Sequence, residues 1–164
     1  MPVYLSLGSN VGTRLVNVRS AVSALRAEPG VNVLRESRVY ETEPVGDARQ
    51  DLFLNMAVAV ETMLGPLEFL DRIQAIEKQV GRVPARRWGP RVIDIDIVLW
   101  DDLVIDSDRL TIPHPEFRAR AFVLAPLSEI APVARDPVTG LTVLELSRQS
   151  PSDQVVRLFG LSRA

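Results

Sequence analysis

Two aspartates, Asp94 and Asp96, lie two residues apart in an apolar stretch and are the strongest candidates for chemistry in this chain. Isoleucines occupy positions 93, 95 and 97, so a β-strand here would place apolar side chains on one face and both carboxylates on the other. Residues i and i+2 of a strand lie about 6.5–7 Å apart at their Cα atoms, which lets two carboxylates share hard divalent cations such as Mg²⁺. We therefore predict that Asp94 and Asp96 are metal ligands.

Four arginines precede this strand, and no acidic residue lies between positions 81 and 93. They are Arg82, Arg86, Arg87 and Arg91. Guanidinium groups form paired hydrogen bonds with phosphate oxygens, so arginines beside a metal-binding strand favour a polyphosphate that brings its own metal. Each pattern alone is more often structural, because many strands have one solvated face and many arginine-rich loops are simply solvated. A Gly-Pro turn at 89–90 directs the arginines onto the open face of the strand, and this coincidence favours the phosphate-and-metal interpretation.

The composition restricts the classes of protein and of site. The chain has 164 residues, of which 46% are hydrophobic and 24% are charged, as expected for one globular domain spanning residues 1–164. It has no cysteine and one histidine, which excludes disulfides, thiolate zinc sites, a cysteine nucleophile and multi-histidine metal sites. The one lysine, Lys78, falls within a predicted helix. A phosphate-loop lysine and a protein-kinase strand lysine are therefore both excluded.

Charge and hydropathy bear on partners and location. The formal net charge of −2 argues against a nucleic-acid-binding surface. No apolar run reaches the roughly 18–20 residues that span a bilayer, and the N-terminus lacks a basic segment followed by an apolar one. We expect a cytoplasmic protein that binds small molecules and neither nucleic acid nor a membrane. We also expect a monomer.

Hydrophobic periodicity predicts the elements that hold these residues. Strands are expected at 3–7, 31–40, 53–62 and 93–100, and helices at about 13–26 and 66–80. Gly8 and Gly12 are interpreted first as turn residues, with a role in lining a site as the alternative. Beyond the central strand we expect a helical segment over 116–130 broken by Pro126, then a short helix and a final strand. This order predicts an α+β fold, a ferredoxin-like antiparallel sheet with helices packed on one face, plus a C-terminal extension.

Several segments of the chain together point to a family. They are the run Arg-Trp-Gly-Pro-Arg at 87–91 leading into Asp94 and Asp96, with Gly8-Ser9-Asn10, Phe53-Leu54-Asn55 and Pro113-His114-Pro115. In type and order they resemble the 6-hydroxymethyl-7,8-dihydropterin pyrophosphokinase family of folate biosynthesis, over nearly the whole chain. The resemblance implies transfer of the β,γ-diphosphate of ATP to the hydroxymethyl oxygen of the pterin, with release of AMP.

The resemblance also implies a role for each matching residue. Catalytic roles fall on Arg82, Arg91, Asp94 and Asp96, of which Asp94 and Asp96 would hold two Mg²⁺ ions. ATP contacts fall on Gln74, Glu77, Arg82, Arg91, Arg109, Thr111, His114 and Arg120. The pterin pocket falls on Thr42, Val45, Phe53, Asn55, Trp88 and Phe122. No general base is evident, so the transfer is expected to depend on positioning and charge neutralisation.

Three positions depart from the family pattern. The family often has a tyrosine in place of Phe53, a basic residue near Pro84 and an aromatic residue in place of Pro115. The nucleotide contacts of the last two positions are therefore not carried over to this chain.

Two other classes of protein share some of these features. A metal-dependent phosphodiesterase or nuclease could use the same acid pair, but it would usually have further carboxylates or histidines around the ions. A ferredoxin-like RNA-binding module would stack bases on aromatic residues of its central strands, where this chain has isoleucine and aspartate.

Overall fold

The computed structural model describes residues 1–44, 50–82, 91–151 and 153–160. Within these residues the chain forms eight strands, four α-helices and a short 3₁₀ helix at Phe117–Ala119. The strands are β1 (Val3–Ser9), β2 (Val31–Glu36), β3 (Tyr40–Thr42), β4 (Phe53–Thr62), β5 (Asp94–Trp100), β6 (Ile105–Asp106), β7 (Thr111–Ile112) and β8 (Val156–Leu158). The helices are α1 (Arg14–Ala27), α2 (Pro66–Val80), α3 (Ala121–Ile130) and α4 (Val143–Arg148). None of the helices in these ranges is long and apolar enough to cross a bilayer.

The main sheet is antiparallel and has the order β5-β1-β4-β3-β8, with β2 also paired to β4. Strand β1 lies between β4 and β5, while β2 and β3 follow one another along the other edge of β4. With α1 after β1 and α2 after β4, this arrangement confirms the predicted ferredoxin-like sheet. Strands β6 and β7 form a separate two-stranded ribbon.

Helices cover both faces of the sheet, although we expected them on one. On the first face α1 and α2 pack on the apolar side chains of β1, β4 and β5, with Leu5, Leu7, Val58, Ile95 and Ile97 in that core. On the second face α3 and α4 pack on a smaller cluster that contains Ala57, Ala59, Val98, Leu99 and Leu127. The C-terminal extension is therefore a second helical layer, which explains why β4 is apolar at successive positions from Met56 to Val60.

Strand β5 contains a β-bulge at Val98. Its partner strand pairs Tyr4 with Leu99 and Leu5 with Ile97, which leaves Val98 as the extra residue. Val98 and Leu99 consequently both belong to the second core, and Trp100 returns to the first face, where it packs edge-on against Phe69.

The predicted break at Pro126 is wrong, because α3 continues through it to Ile130. Proline cannot donate the hydrogen bond that this turn of the helix would otherwise make. The apolar side chains of α3, among them Val123, Leu124 and Leu127, are buried against the sheet. Tertiary packing of this kind outweighs a local preference.

Candidate active site

A cavity of about 370 Å³ opens on the second face of the sheet. Its floor is formed by alternate residues of the three central strands: Ser6 and Gly8 of β1, Phe53 and Asn55 of β4, and Asp94 and Asp96 of β5. Its walls are Thr42, Glu43, Arg82, Arg91, His114, Pro115, Glu116, Arg120 and Phe122. The same face carries the small core under α3 and α4, so one end of the sheet face is packed and the other end is left open with polar side chains.

Gly8 lies inside β1 and not in a turn, so the first interpretation of this residue is wrong; in line with the alternative, it lines the cavity. It is paired with Asn55 on one side and with Asp94 on the other. A Cβ atom at position 8 would lie 2.7 Å from Oδ1 of Asn55. The absence of a side chain at position 8 therefore provides the space that the Asn55 amide occupies. Gly12, by contrast, has φ +70° and is a turn residue, as expected.

On the β4 side of Gly8 the cavity has the amide of Asn55 and the ring of Phe53. The Nδ2 group of Asn55 donates to Oγ1 of Thr42 at 2.6 Å, and both side chains are buried. Phe53, on β4, and Phe122, on α3, also line the cavity. An amide edge with aromatic faces is suited to a flat heterocycle that both donates and accepts hydrogen bonds.

On the β5 side of Gly8 lie the two carboxylates predicted from the sequence. The side chains of Asp94 and Asp96 are 35% and 36% exposed, which leaves oxygen atoms accessible from the cavity. Burial, followed by the nearby charge of Asp94, raises the pKa of Asp96. Such a carboxylate gains by binding a cation, because the positive charge replaces the lost hydration.

The donor set fits Mg²⁺ with part of its shell left to other ligands. Within residues 1–44, 50–82, 91–151 and 153–160 no group of three or more acidic, histidine or cysteine side chains is arranged so that it could hold a metal ion by itself. Mg²⁺ is commonly bound by one or two carboxylates, with waters and substrate phosphates completing its coordination. Asp94 and Asp96 could therefore hold Mg²⁺ that arrives with a polyphosphate.

His114 faces Asp96 across the cavity, with its Nε2 atom 4.0 Å from Oδ2 of the carboxylate. The β5 bulge helps to place it, since the backbone N–H of His114 donates to the carbonyl of Val98 at 2.9 Å. The Nδ1 atom accepts a hydrogen bond from the backbone N–H of Glu116, and burial, with the charge of Arg120, lowers the pKa of the imidazole. A neutral ring that accepts at Nδ1 carries its proton on Nε2. His114 is therefore a hydrogen-bond donor into the cavity.

Glu77 lies behind Arg82 and does not line the cavity. Its buried Oε2 atom accepts from Nη1 of Arg82 at 2.6 Å and from the backbone N–H of Ile95 at 3.0 Å. The same Nη1 atom lies 3.2 Å from Oδ1 of Asp94. Burial raises the pKa of Glu77 to about 7, against the lowering effect of the Ile95 hydrogen bond. The carboxylate thus ties α2 to β5 and orients Arg82.

The structure brings most of the other predicted residues together, but not all of them. Arg91 and Arg120 line the cavity, and the guanidinium of Arg120 lies 5.5 Å from the centre of the Phe122 ring. Gln74, Arg109 and Thr111 lie elsewhere: Gln74 is exposed on α2, Arg109 is ion-paired with Asp71, and Thr111 belongs to β7. Their predicted contacts with ATP stay predictions. Val45 and Trp88, like positions 84, 86 and 87, lie outside the described residues.

Several lining residues were missed by sequence reasoning. The alternation in β1 that buries Leu5 and Leu7 on the first face puts Ser6 beside Gly8 on the second, and this signal was readable. Glu116 gave no comparable signal, although it forms an ion pair with Arg120 at the cavity wall.

Comparison with known proteins identifies the family. The model of the family described as 7,8-dihydro-6-hydroxymethylpterin-pyrophosphokinase (HPPK) matches residues 4–132. The chain belongs to this family.

Two bacterial relatives in the HPPK family are similar over nearly their full length. A 2-amino-4-hydroxy-6-hydroxymethyldihydropteridine pyrophosphokinase of Methylorubrum extorquens is 47% identical over 150 residues, which are 91% of this chain and 94% of the relative. The protein of the same name from Pseudomonas aeruginosa is 40% identical over 158 residues, 96% of this chain and 97% of its own. The resemblance inferred from the sequence motifs is thereby confirmed.

A solved structure has the same fold. The Plasmodium falciparum HPPK-DHPS crystal structure with pteroate matches with a TM-score of 0.72 over 90% of this chain, at 16% sequence identity. The chain spans 44% of that longer polypeptide. At this identity the likeness supports the HPPK fold alone.

Proposed function

We propose that this HPPK-family protein transfers the terminal diphosphate of ATP to the hydroxymethyl oxygen of 6-hydroxymethyl-7,8-dihydropterin, releasing AMP, as a step of folate biosynthesis. The observation that carries the proposal is the floor of the cavity, where Asn55 and Asp94 flank Gly8 on adjacent strands. Neighbouring strands are about 4.8 Å apart, so a heterocycle reader and a metal ligand lie about 9.5 Å apart at their Cα atoms. That separation accommodates a pterin ring whose side-chain hydroxyl points at a metal-bound phosphate.

The pterin half of the cavity is assigned to Thr42, Phe53, Asn55 and Phe122. The amide of Asn55, held by Thr42, presents a fixed hydrogen-bonding edge, and the two phenylalanines supply apolar faces for the ring. The family resemblance adds Val45 and Trp88 to this pocket. A substrate that lacks the matching edge would leave the buried amide unpaired, which is how such sites discriminate.

The phosphate half is assigned to the basic residues around Asp94 and Asp96. Arg82, Arg91, Arg120 and the Nε2–H of His114 converge on the cavity beside the carboxylates. Asp94 and Asp96 would hold two Mg²⁺ ions, which would neutralise phosphate charge and lower the pKa of the attacking hydroxyl. The arginines bind and orient the polyphosphate oxygens, so the protein contributes alignment and electrostatic stabilisation.

We assign no general base to the chain. His114 cannot take a proton at the atom that faces the cavity, because Nε2 already carries one and Nδ1 is engaged by the backbone of Glu116. His114 is instead assigned a hydrogen bond to a phosphate oxygen. Gln74, Arg109 and Thr111 belong to the proposal as outer contacts of the nucleotide, and the monomeric state and cytoplasmic location expected from the sequence belong to it as well.

The test is AMP formation from ATP in the presence of Mg²⁺ and the reduced pterin alcohol. We expect AMP and the pterin diphosphate ester in equal amounts, and no AMP with a 6-methyl pterin that lacks the hydroxyl. Asp96→Asn is the matched control, because it keeps the shape of the side chain and removes the charge that binds the cation. Release of AMP at the same rate without a pterin, or cleavage of a nucleic acid substrate, would refute the proposal.

A further inference from the structure

Asn10 is a buried residue just beyond the end of β1, and it does not line the cavity. It is 2% exposed. Its side chain and backbone form hydrogen bonds with two segments that are distant in sequence. One is Arg91, which precedes β5; the other is the pair Gln50 and Asp51, which precedes β4.

The contacts with Arg91 are reciprocal. The backbone N–H of Asn10 donates to the carbonyl of Arg91 at 3.0 Å, and Oδ1 of Asn10 accepts from the backbone N–H of Arg91 at 2.7 Å. Both backbone groups of Arg91 are therefore fixed by a single residue. Because the side chain of Arg91 lines the cavity, Asn10 fixes the backbone position from which that side chain extends into the cavity.

The amide nitrogen of Asn10 holds the segment that leads into β4. The Nδ2 group of Asn10 donates to Oε1 of Gln50 at 3.0 Å and to the carbonyl of Asp51 at 3.3 Å. Arg14, in the first turn of α1, donates to the next carbonyl, that of Leu52, at 2.8 Å. The chain then enters β4 at Phe53, on the heterocycle side of the cavity.

The side chain of Asn10 is chemically suited to this bridge. An amide offers an acceptor and two donor hydrogens on one rigid plane. A carboxylate would lack the donors, and a hydroxyl is too short to reach both segments. Asn10 uses the acceptor toward one flank and the donors toward the other.

We propose that Asn10 is a positioning residue for diphosphate transfer, and that it fixes the distance between the phosphate half and the pterin half of the cavity by holding Arg91 to the 50–51 segment. This inference rests on the proposed function. Each ligand binds mainly within one half, whereas the reaction requires both halves at the correct separation. Loss of the bridge should therefore reduce the rate of the chemical step far more than the affinity for either ligand.

The experiment compares Asn10→Ala and Asn10→Asp with the matched control Asn17→Ala. Asn17 lies near the start of α1 and its amide holds the same turn from the helix side, donating to Oγ of Ser9 and to the carbonyl of Val11, but no hydrogen bond to Arg91 or to the 50–51 segment is described for it. Three quantities are measured in each variant: the dissociation constant for Mg²⁺ with a non-hydrolysable ATP analogue, that for the pterin alone, and the single-turnover rate of AMP formation. Thermal unfolding is recorded in parallel.

We expect Asn10→Ala to slow single turnover by about 10- to 100-fold, the scale of a misplacement near 1 Å, while both dissociation constants change by less than about 3-fold. Asn10→Asp keeps the acceptor for Arg91 but places a carboxylate oxygen against Oε1 of Gln50 and the carbonyl of Asp51, so it breaks the bridge on the 50–51 side alone and should also slow single turnover. This variant covers the case in which the alanine variant does not fold. Asn17→Ala should keep the wild-type rate even where it lowers the unfolding temperature.

A rate loss in Asn17→Ala equal to that in the Asn10 variants would overturn the inference, and so would an unchanged rate in both Asn10 variants. A loss accounted for by weaker binding of one ligand would also overturn it. If the wild-type protein forms no pterin-dependent AMP, the proposed function and this inference both fail. If the wild type is active and only the variants behave otherwise than expected, the inference alone fails.

Discussion

At the scale of single residues, the candidate site depends on the absence of a side chain at Gly8 and on the polar side chains of the two residues paired with it. Gly8 is paired with both Asn55 and Asp94, so the β1 position between the two proposed ligands presents only backbone. A methyl group there would meet Oδ1 of Asn55 at 2.7 Å. One absent side chain thus allows the amide that we propose reads the heterocycle and the carboxylate that we propose binds metal to face the same space.

Replacing Asp94 or Asp96 by Asn should abolish turnover without unfolding the protein. Both side chains are about one-third exposed and on the cavity face, so neither contributes to the apolar core. In the absence of a cation the two carboxylates repel each other, and neutralising one relieves that repulsion. Urea unfolding should therefore show unchanged or slightly higher stability without Mg²⁺, alongside a loss of AMP formation. Mg²⁺-dependent activity near the wild-type level in both variants would remove the metal assignment.

Replacing Asn55 by Ala should weaken the pterin far more than ATP. The amide is buried and donates to Thr42, so its loss leaves the edge of a buried heterocycle unpaired, at about 1–3 kcal/mol. Gly8→Ala should cause a smaller loss of the same kind by displacing the amide. Calorimetric titration with each ligand checks both variants, and equal losses for ATP and the pterin would count against Asn55 as the pterin reader.

At the scale of secondary-structure elements, two connections position the site. The Val98 bulge lets β5 supply Asp94 and Asp96 to the cavity and Val98 and Leu99 to the second core, and its carbonyl holds the backbone of His114. Glu77 joins the C-terminal end of α2 to β5 through the N–H of Ile95. Removal of that acceptor would leave a buried donor unsatisfied, at about 1–3 kcal/mol.

Glu77 should make the free energy of unfolding depend on pH, and Glu77→Gln should remove its contribution to that dependence. Its pKa is raised from 4.5 to about 7 by burial, so the native state binds more protons than the unfolded state between those two pH values. The free energy of unfolding therefore falls as pH rises through this window. Urea unfolding without Mg²⁺ from pH 4.5 to 7.5 should give a steeper decline for wild type than for Glu77→Gln. Parallel curves would show that Glu77 is not protonated in the fold.

The sequence predicted the strands and helices that have a periodic hydrophobic pattern. It did not predict the features that depend on contacts between these elements. The Ile-Asp alternation correctly gave the two faces of β5, and the element order gave the sheet. The bulge at Val98 could not be read, because a single extra residue is defined only by the partner strand. The helix through Pro126 was misjudged because burial outweighed local propensity.

The site was predictable to a similar extent and for the same reason. Motif residues such as Asp94, Asn55 and His114 were identified and do line the cavity. The role of Glu77 as a support for Arg82, and that of Asn10 as a bridge, arise from contacts between segments far apart in sequence. No local pattern encodes such contacts.

At the scale of the whole molecule, one sheet face is divided between a core and a cavity. The core under α3 and α4 and the cavity lie along the same three central strands, so packing and ligand binding are supported by a common backbone. The question is whether the core under α3 and α4 and the cavity are energetically independent. Sites that are well separated and share no partners usually contribute additively to stability.

Leu127→Ala tests this independence, because Leu127 is buried in the second core and does not line the cavity. The substitution should lower the free energy of unfolding by about 2–5 kcal/mol through lost packing and a new cavity. Mg²⁺, an ATP analogue and the pterin together should still stabilise the variant as much as the wild type, with the nucleotide and the pterin each contributing about 2.7 kcal/mol at 100 times its dissociation constant. Asp94→Asn is the opposite control, since it should keep the core and lose the increment due to Mg²⁺ and nucleotide. Urea unfolding of the wild type and both variants, each with and without ligands, gives the six free energies of unfolding that the comparison needs. A ligand increment that shrinks in Leu127→Ala by more than about 0.5 kcal/mol would show that the α3–α4 layer and the cavity are coupled through the sheet.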